Sequence, residues 1–350
     1  MLSTPFYLAD RQNIRNRFDN WESIMPNVKP YYAVKCNTEI EVIKILDKLG
    51  VNFDCASSEE IKLILSLGIE YDRIIFSHPV KTEASIIFAK NNGVEILTFD
   101  NKEELFKIHK LYPQCKLLLR IITDDSNSTC PLSNKFGATL DEAFDLLKFS
   151  ASLHLNIIGV TFHVGSGCSI ISPYAKAIFE SRLIFQEAKK YDYHFTILDI
   201  GGGFTSDSFL AIGKEINNLL TSVFPNIKVI AEPGRYFVSD AFTLNVSVIG
   251  KRIRNNIFYF YLDDGLYQSF SGIIFDHQKP IAESDKKETT TYTSVLFGPT
   301  CDGLDCLRIN IQLPELSIGD NLTFKNMGAY TLASTTNFNG FKDPKVIYIN

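Results

Sequence analysis

Short apolar segments alternate with longer amphipathic segments along residues 30–235, and this alternation constrains the fold more than any other feature of the sequence. The short segments are rich in β-branched and aromatic residues, which is typical of buried strands. The stretches between them repeat apolar residues at intervals of three and four, which indicates helices. The short segments are YYAVK (31–35), VNFDCAS (51–57), RIIFSH (73–78), EILTFD (95–100), KLLLRII (116–122), IIGVTFHV (157–164), TILDIGG (196–202) and KVIAEPG (228–234).

Eight strands that each lead into a helix predict an α/β fold, a closed (β/α)8 barrel of the TIM type. An open doubly wound sheet has the same local signals, and the count of eight favours the barrel. The helix ends support the helical assignment: Gly50 and Gly68 are expected to end the first two helices after a strand. Ser57, followed by two acidic residues in the first turn, is expected to cap the second.

After about residue 240 the sequence consists of strand-like runs separated by turns, without long helices between them. The N-terminal run PFYLAD has the same character. We therefore expect the barrel domain to extend over residues 13–241. We expect residues 1–12 and 242–350 to form a second, all-β domain, a sandwich or barrel that includes the N-terminal strand.

Composition excludes several classes of protein. The 350 residues contain 35 Lys and Arg against 40 Asp and Glu, a net charge of −5, so we expect neither nucleic-acid nor anionic-membrane binding. No apolar run approaches the roughly 18 residues that span a bilayer, and the start lacks the pattern of a secretory signal. The seven cysteines contain no C-x-x-C pair. That usage predicts reduced thiols in the cytoplasm, with no disulfide framework and no metal site.

In a barrel, catalytic side chains gather where the strands end at their carboxyl edge. Lys35 at such an end is expected to be partly desolvated, which favours a nucleophilic amine, although a lysine at a strand end can equally extend into solvent. The glycine run 201–203 can cradle a phosphate or simply form a tight turn. Glu232 can bind a protonated ring nitrogen or make a structural ion pair.

Three more side chains have similar double interpretations. Arg235 can bind the same phosphate or be an ordinary surface cation. His163 can stack on a planar cofactor or be a satisfied core histidine, and Ser166 can bind a ligand or stabilise a turn. Together these residues supply a lysine nucleophile, a phosphate cradle, a carboxylate for a ring nitrogen and a stacking ring. Pyridoxal 5′-phosphate requires that set.

The sequence resembles the eukaryotic-type ornithine decarboxylases, which belong to the alanine-racemase-like group of pyridoxal-phosphate enzymes. The resemblance extends from about residue 5 to 345, with the motifs in the same order, and implies a barrel followed by a β domain that takes in the N-terminal strand. It rests on YYAVKCN, FDCASSEEI, NKFGA, FHVGSGC, LDIGGGF, AEPGRYF, DGLYQSF, FGPTCDGLD and the segment from MGAYT to FNGF.

The resemblance implies a role for each matching residue of the cofactor site. Lys35 would hold the cofactor as a Schiff base, Glu232 would pair with the ring nitrogen, and His163 would stack on the ring. Two further residues, Asp54 and Arg120, would line the site. The residues implied for the phosphate and its loop are Ser166, Gly202, Gly203, Gly234, Arg235 and Tyr330.

The same resemblance implies a shared substrate site in a homodimer. Cys301 would protonate the substrate carbon after carbon dioxide leaves, and Asp276 and Asp302 would bind the distal amine of the amino-acid substrate. The remaining substrate-binding residues implied are Tyr267, Phe275 and Phe338. Cys301 and Asp302 would reach into the partner's site, and Lys135 and Asp305 would bridge the interface or remain solvated as exposed charges.

The resemblance favours L-ornithine as the substrate and putrescine as the product, within polyamine biosynthesis. A viral-type branch that decarboxylates arginine has a glutamate where this chain has Asp276 in its Phe275-Asp276-His277 segment. A lysine or arginine decarboxylase, an inactive regulatory homologue and a racemase are the alternatives. The intact Lys35, Glu232 and Cys301 weigh against the inactive homologue. An antizyme-like partner is left open, as is the meaning of His78, where animal enzymes usually have asparagine.

Overall fold

The computed structural model describes residues 3–350, which form two compact units. The barrel unit contains residues 15–35 and 39–236. The sheet unit contains the residues up to 14, together with 36–38 and 237–350. Of the segment 1–12 that we expected in the β domain, Met1 and Leu2 lie outside the described residues. The segment 36–38, directly after Lys35, belongs to the sheet unit, which the sequence did not indicate.

Strand β1 (Phe6–Asp10) is followed by helix α1 (Arg11–Ile24). Parallel strands then form a closed barrel in which each strand pairs with its neighbours in the chain and the last pairs with the first. The predicted (β/α)8 barrel is confirmed, and the open sheet is excluded. The barrel strands are β2 (Val28–Ala33), β3 (Asn52–Cys55), β4 (Ile74–Phe76), β5 (Ile96–Phe99), β6 (Lys116–Ile121), β7 (Asn156–Phe162), β8 (Ile197–Asp199) and β9 (Lys228–Ala231).

A helix follows each barrel strand, and its ends match the local chemistry of the sequence. The Ser57 hydroxyl accepts a hydrogen bond from the Glu60 amide at 3.2 Å, which caps α3. Gly50 and Gly68 have φ of 78° and 80° just after α2 and α3, a conformation that ends helices and favours glycine. These helices are α2 (Ile40–Lys48), α3 (Ser58–Ser66), α4 (Glu83–Asn91), α5 (Lys102–Leu111), α6 (Leu140–Ser152), α7 (Ser172–Ala188), α8 (Phe209–Val223) and α9 (Arg235–Val238).

The interior of the barrel is filled with side chains. Residues from five of the barrel strands pack against one another there, namely Tyr31, Ile75, Leu118, Ile197 and Ile230, and all are buried. Burial of each such side chain contributes about 1.5–3 kcal/mol. Because a packed interior leaves no channel, any site of this unit lies at an end of the barrel, on the segments that follow the strands.

The sheet unit joins eight strands of the described chain into one sheet. Six of them follow one another in the order β12-β15-β10-β11-β13-β14, and β1 and β16 are attached beside this path. Strand β1 pairs antiparallel with β10 and parallel with β16, so the N-terminal strand belongs to this sheet, as predicted. A short helix, α10 (Gly272–Phe275), follows β11. The strands are β10 (Phe242–Arg254), β11 (Ile257–Leu262), β12 (Ala282–Ser284), β13 (Tyr292–Phe297), β14 (Cys306–Leu313), β15 (Asn321–Phe324) and β16 (Lys345–Ile349).

Residues 3–350 show three general features. None of their helices combines the length and the apolar character that crossing a membrane requires. No cluster of three or more His, Cys, Asp or Glu side chains in this part of the chain could hold a metal ion. All seven cysteines are free thiols.

Candidate active site

Lys35 lies in a 3-10 turn that begins directly after β2. Its Nζ is 2.7 Å from Oδ2 of Asp54, a fully buried residue of β3, and the Ser77 hydroxyl after β4 donates to the other oxygen of that carboxylate. The Lys35 side chain is 40% exposed. The turn after Ala33, the last residue of β2, places this amine beside a buried carboxylate. The amine is both accessible and fixed in position.

The glycine run after β8 forms a tight loop with no room for side chains. Gly201 and Gly203 have φ of 63° and 98°, which favours glycine. A Cβ on Gly202 would lie 2.8 Å from Nε2 of His163, and one on Gly203 would lie 2.6 Å from the Gly165 carbonyl oxygen. A ligand can therefore approach this backbone closely.

Two of the predicted phosphate-binding side chains meet beside this loop. Arg235, at the start of α9, donates through Nη2 to the Ser166 hydroxyl at 3.1 Å. Gly234 lies between β9 and this helix. The predicted Tyr330 belongs to the sheet unit, where its amide donates to the carbonyl of Cys36 at 2.9 Å. The cluster of arginine, hydroxyl and open backbone has the chemistry of an anion site.

Glu232 follows β9 and is 8% exposed. Its Oε1 is buried and has no hydrogen-bond partner among the described residues. Burial, followed by the negative charge of Asp199, raises the pKa of Glu232 well above its usual value. A buried oxygen without a partner is costly, so a ligand group that bonds to it would relieve an existing penalty.

His163 lies just after β7 as a neutral imidazole. Its Nδ1 accepts a hydrogen bond from the Gly165 amide at 3.0 Å, so that nitrogen carries no proton. Burial, together with the charges of Arg120 and Lys35, holds the pKa of His163 well below its ordinary value. A neutral flat ring next to Gly202 is suited to stacking on a planar ligand.

Arg120 on β6 lies over an aromatic ring that the sequence analysis did not single out. Its guanidinium lies 5.1 Å from the centre of the Phe136 ring, and the His78 ring packs edge-on against the same ring at 5.5 Å. His78 thus helps to enclose the residue that lines the expected cofactor site. Two further residues were missed: Ser77, and the buried Asp199, whose position directly before the glycine run was an available signal.

In the sheet unit, three of the expected substrate-binding residues form a local cluster. The Tyr267 hydroxyl donates to Asp302, and the Tyr267 and Phe338 rings stack with their centres 4.3 Å apart. The Leu304 amide, followed by the Tyr267 hydroxyl, lowers the pKa of Asp302. Cys301 is exposed, and its amide donates to Oδ1 of Asn339 at 3.2 Å. Asp302 is therefore held as an anion beside an accessible thiol.

The remaining substrate residues lie at the end of α10. Asp276 is 8% exposed, and its Oδ2 accepts a hydrogen bond from Nε2 of Gln278 at 2.9 Å. Phe275, beside it in sequence, is 78% exposed. The neighbouring positions 276 and 275 thus carry a buried carboxylate and an exposed aromatic ring.

Asp305 is not an exposed charge, which corrects the expectation for this residue. It is 1% exposed, and its carboxylate accepts hydrogen bonds from the Leu266 amide at 2.7 Å and from the amide and hydroxyl of Thr300 at 3.1 and 2.8 Å. Gly265 and Gly298 lack the Cβ atoms that would collide with it. Asp305 therefore ties the segment before Tyr267 to the segment before Cys301. Lys135 is exposed.

The residues of the barrel unit fit pyridoxal phosphate in all its parts: an accessible amine, an anion site, a neutral stacking ring and a buried carboxyl oxygen that needs a donor. This fold and site define a pyridoxal-dependent decarboxylase. The family described as "Pyridoxal-dependent decarboxylase, pyridoxal binding domain" matches residues 11–239. Within it, the chain belongs to the family of the eukaryotic-type ornithine decarboxylases, as its sequence motifs predicted.

Relatives and solved structures agree with this placement. The chain is 43% identical over 363 residues to ornithine decarboxylase of Schizosaccharomyces pombe, covering 99% of this chain and 84% of that one. It is 44% identical over 366 residues to antizyme inhibitor 2 of Xenopus laevis, covering 98% and 80%. Its structure is similar to the Paramecium bursaria Chlorella virus arginine decarboxylase, with TM-score 0.96, 41% identity and coverage of 99% and 96%. It is also similar to a Vibrio vulnificus lysine/ornithine decarboxylase complexed with putrescine, with TM-score 0.92, 34% identity and coverage of 99% and 94%.

Proposed function

We propose that this protein decarboxylates L-ornithine to putrescine in polyamine biosynthesis. The observation that carries the choice of substrate is Asp276, a shielded carboxylate in the segment where arginine-specific relatives are expected to have the longer glutamate. A guanidinium is a broad planar fork and an ammonium is a compact point charge, so the two groups call for differently placed carboxylates. With the aspartate in place of that glutamate, we infer an ammonium substrate. The named ornithine decarboxylases among the relatives support the same choice.

The residues of the barrel unit would bind and orient the cofactor. Lys35 would attach to it through Nζ, with Asp54 holding the amine in place, and the glycine loop, Ser166 and Arg235 would bind its phosphate. Glu232 would accept a hydrogen bond from the ring nitrogen, and the His163 ring would cover one face. When bound, pyridoxal phosphate supplies an electron sink for the electron pair that carbon dioxide leaves behind.

The residues of the sheet unit would bind the substrate and return a proton to it. Asp276 and Asp302 would accept hydrogen bonds from the distal ammonium, with Asp302 held by Tyr267. The Sγ of Cys301 would donate a proton to the substrate carbon. Tyr330 would add its hydroxyl to the phosphate site, and Phe275 and Phe338 would flank the substrate chain.

We also propose that the protein works in the cytoplasm as a homodimer whose subunits share their active sites. The exposure of Cys301 and Phe275 supports this, because a cysteine that donates a proton in water-free surroundings must be covered by something beyond its own loop. The net charge of −5 argues against a nucleic-acid partner.

Competition between substrates tests the proposed activity. Equal amounts of ornithine, lysine and arginine are supplied with pyridoxal phosphate, and the amines formed are separated and counted. We expect putrescine to predominate, and Asp276→Glu, which introduces the residue of the arginine-decarboxylating branch, to raise the share of agmatine. A predominance of agmatine or cadaverine from the unmutated protein would refute the choice of ornithine. If no amine forms although the cofactor binds, the chain is a regulatory homologue.

A further inference from the structure

Two buried acids lie next to each other where the last two barrel strands end. Asp199 ends β8 and is completely buried, and Glu232 follows β9 and is 8% exposed. Strands β8 and β9 pair in register, and the Glu232 amide donates to the Gly201 carbonyl at 2.7 Å, which brings the two side chains together. A hydrogen bond between their carboxyl groups and the repulsion of their charges both act on the pKa of Glu232. A hydrogen bond between two carboxyl groups requires a proton on one of them, and two buried negative charges in contact repel strongly. The pair therefore holds one proton.

The hydrogen bonds around the pair indicate which acid carries that proton. Oδ1 of Asp199 accepts from the Gly201 amide at 2.9 Å, and Oδ2 accepts from the Thr161 hydroxyl at 3.0 Å. Burial raises the pKa of Asp199 to about 6, and these two donors oppose the rise by stabilising its ionised form. Oε1 of Glu232 receives no donor from the described residues. Glu232 is therefore the protonated member, and burial and the charge of Asp199 raise its pKa accordingly.

Four other ionisable side chains from neighbouring segments surround Glu232 and Asp199. Asp54 from β3 adds repulsion, which favours a protonated Glu232, whereas Lys35 from the turn after β2 opposes it. Arg120 on β6 interacts with both acids and offsets the one negative charge that remains. His163 is neutral and adds no charge.

We propose that Asp199 is a positioning residue that keeps one proton on Glu232 until the cofactor ring arrives. If the ring nitrogen arrives protonated, the O–H bond of Glu232 breaks, its proton goes to solvent, and the carboxylate accepts the N–H of the ring. If the nitrogen arrives unprotonated, the Glu232 proton passes to it and none is released. In either case the pair carries both negative charges only once the ring is bound. The inference rests on the proposed contact between Glu232 and the ring nitrogen.

Proton release upon binding tests this inference. The cofactor-free protein is titrated calorimetrically with 4-deoxypyridoxine 5′-phosphate, which has no aldehyde to react with Lys35, in two buffers of different ionisation enthalpy at one pH. We compare the unmutated protein with Asp199→Asn, in which the introduced amide can donate to an ionised Glu232. Since the ionisation of the ligand itself is common to both, the unmutated protein should release about one proton more per site. Equal release would overturn the proposal.

Two further measurements separate the possible causes. Thr161→Val removes a donor to Asp199 but keeps both acids, so its proton release should match that of the unmutated protein. The infrared difference spectrum of the unmutated protein should lose a protonated carboxylic acid band upon binding, and this requires no variant to fold. A spectrum without that loss would contradict a proton on Glu232. If the ligand fails to bind to the unmutated protein, the proposed cofactor site is wrong instead.

Discussion

The two units present their candidate functional residues in opposite ways. In the barrel unit the side chains lie at or just after the strand ends. Most of them are buried or half-buried and hydrogen-bonded, as Asp54 and His163 illustrate. In the sheet unit they lie on loops and a short helix, and Cys301 and Phe275 are exposed. A rigid barrel can fix a cofactor by itself, whereas exposed loop residues need a ligand or another surface to complete their surroundings. The barrel site is preorganised, whereas Cys301 and Phe275 remain open to solvent.

The strongest test of the barrel side is Lys35→Ala. If Lys35 attaches the cofactor, this variant should lose the visible absorbance of the bound cofactor and the product that borohydride traps on the protein. Decarboxylation should fall by about 10⁴-fold or more, because the nucleophile is gone. Lys29→Ala, on strand β2, is the matched control and should keep both signals. Trapping on another lysine in the Lys35 variant would show that the assignment is wrong.

The barrel was predictable because its signals are local. Each buried strand reads as a short apolar run, and helix ends such as Ser57 and Gly50 depend on one or two residues. Once eight strands are counted, the rule that catalytic residues follow strand ends selects Lys35, His163 and Glu232 without any knowledge of contacts.

The pairing of side chains was not predictable, because it depends on which strands become neighbours. Lys35 and Asp54 meet because β2 and β3 pair in register, and no local sequence pattern specifies that register. Asp305 reads as a surface charge in sequence, yet the loops around it supply three donors. In the sheet unit, the sequence pattern predicted the strands but not the contacts between the loops.

Mixing two inactive variants tests whether the exposed residues complete a partner's site. Lys35→Ala and Cys301→Ala should each be nearly inactive as homodimers. In a mixed dimer, one site carries both substitutions and the other carries neither. Random exchange makes about half the dimers mixed, so mixing equal amounts should recover roughly a quarter of the unmutated activity. Putrescine is measured before and after exchange. If exchange is demonstrated without recovery, both residues belong to one subunit's site.

On the substrate side, Asp276→Asn should weaken binding of the distal ammonium. Loss of one partner of a buried charge pair costs about 2–5 kcal/mol, so the KM for ornithine should rise about 30-fold or more. The absorbance of the bound cofactor should not change, because Asp276 belongs to the other unit. Asp285→Asn, the same substitution at an exposed position, is the control. An unchanged KM would remove Asp276 from the substrate site.

The smallest effect is expected from Asp305→Asn. This variant tests how much the hydrogen bonds of Asp305 to its neighbouring loops stabilise the sheet unit. The substitution keeps the shape of the side chain but weakens the three hydrogen bonds that Asp305 accepts. It also places the NH2 group of the amide against N–H or O–H donors. The free energy of unfolding should fall by about 1–3 kcal/mol. Urea unfolding of the full chain measures this loss. Lys135→Ala, which removes the exposed charge expected to pair with Asp305 across an interface, should change stability by no more than about 0.5 kcal/mol. If the two variants lose the same amount, and the loss depends on protein concentration, then an ion pair between subunits stabilises this region and the loop contacts are secondary.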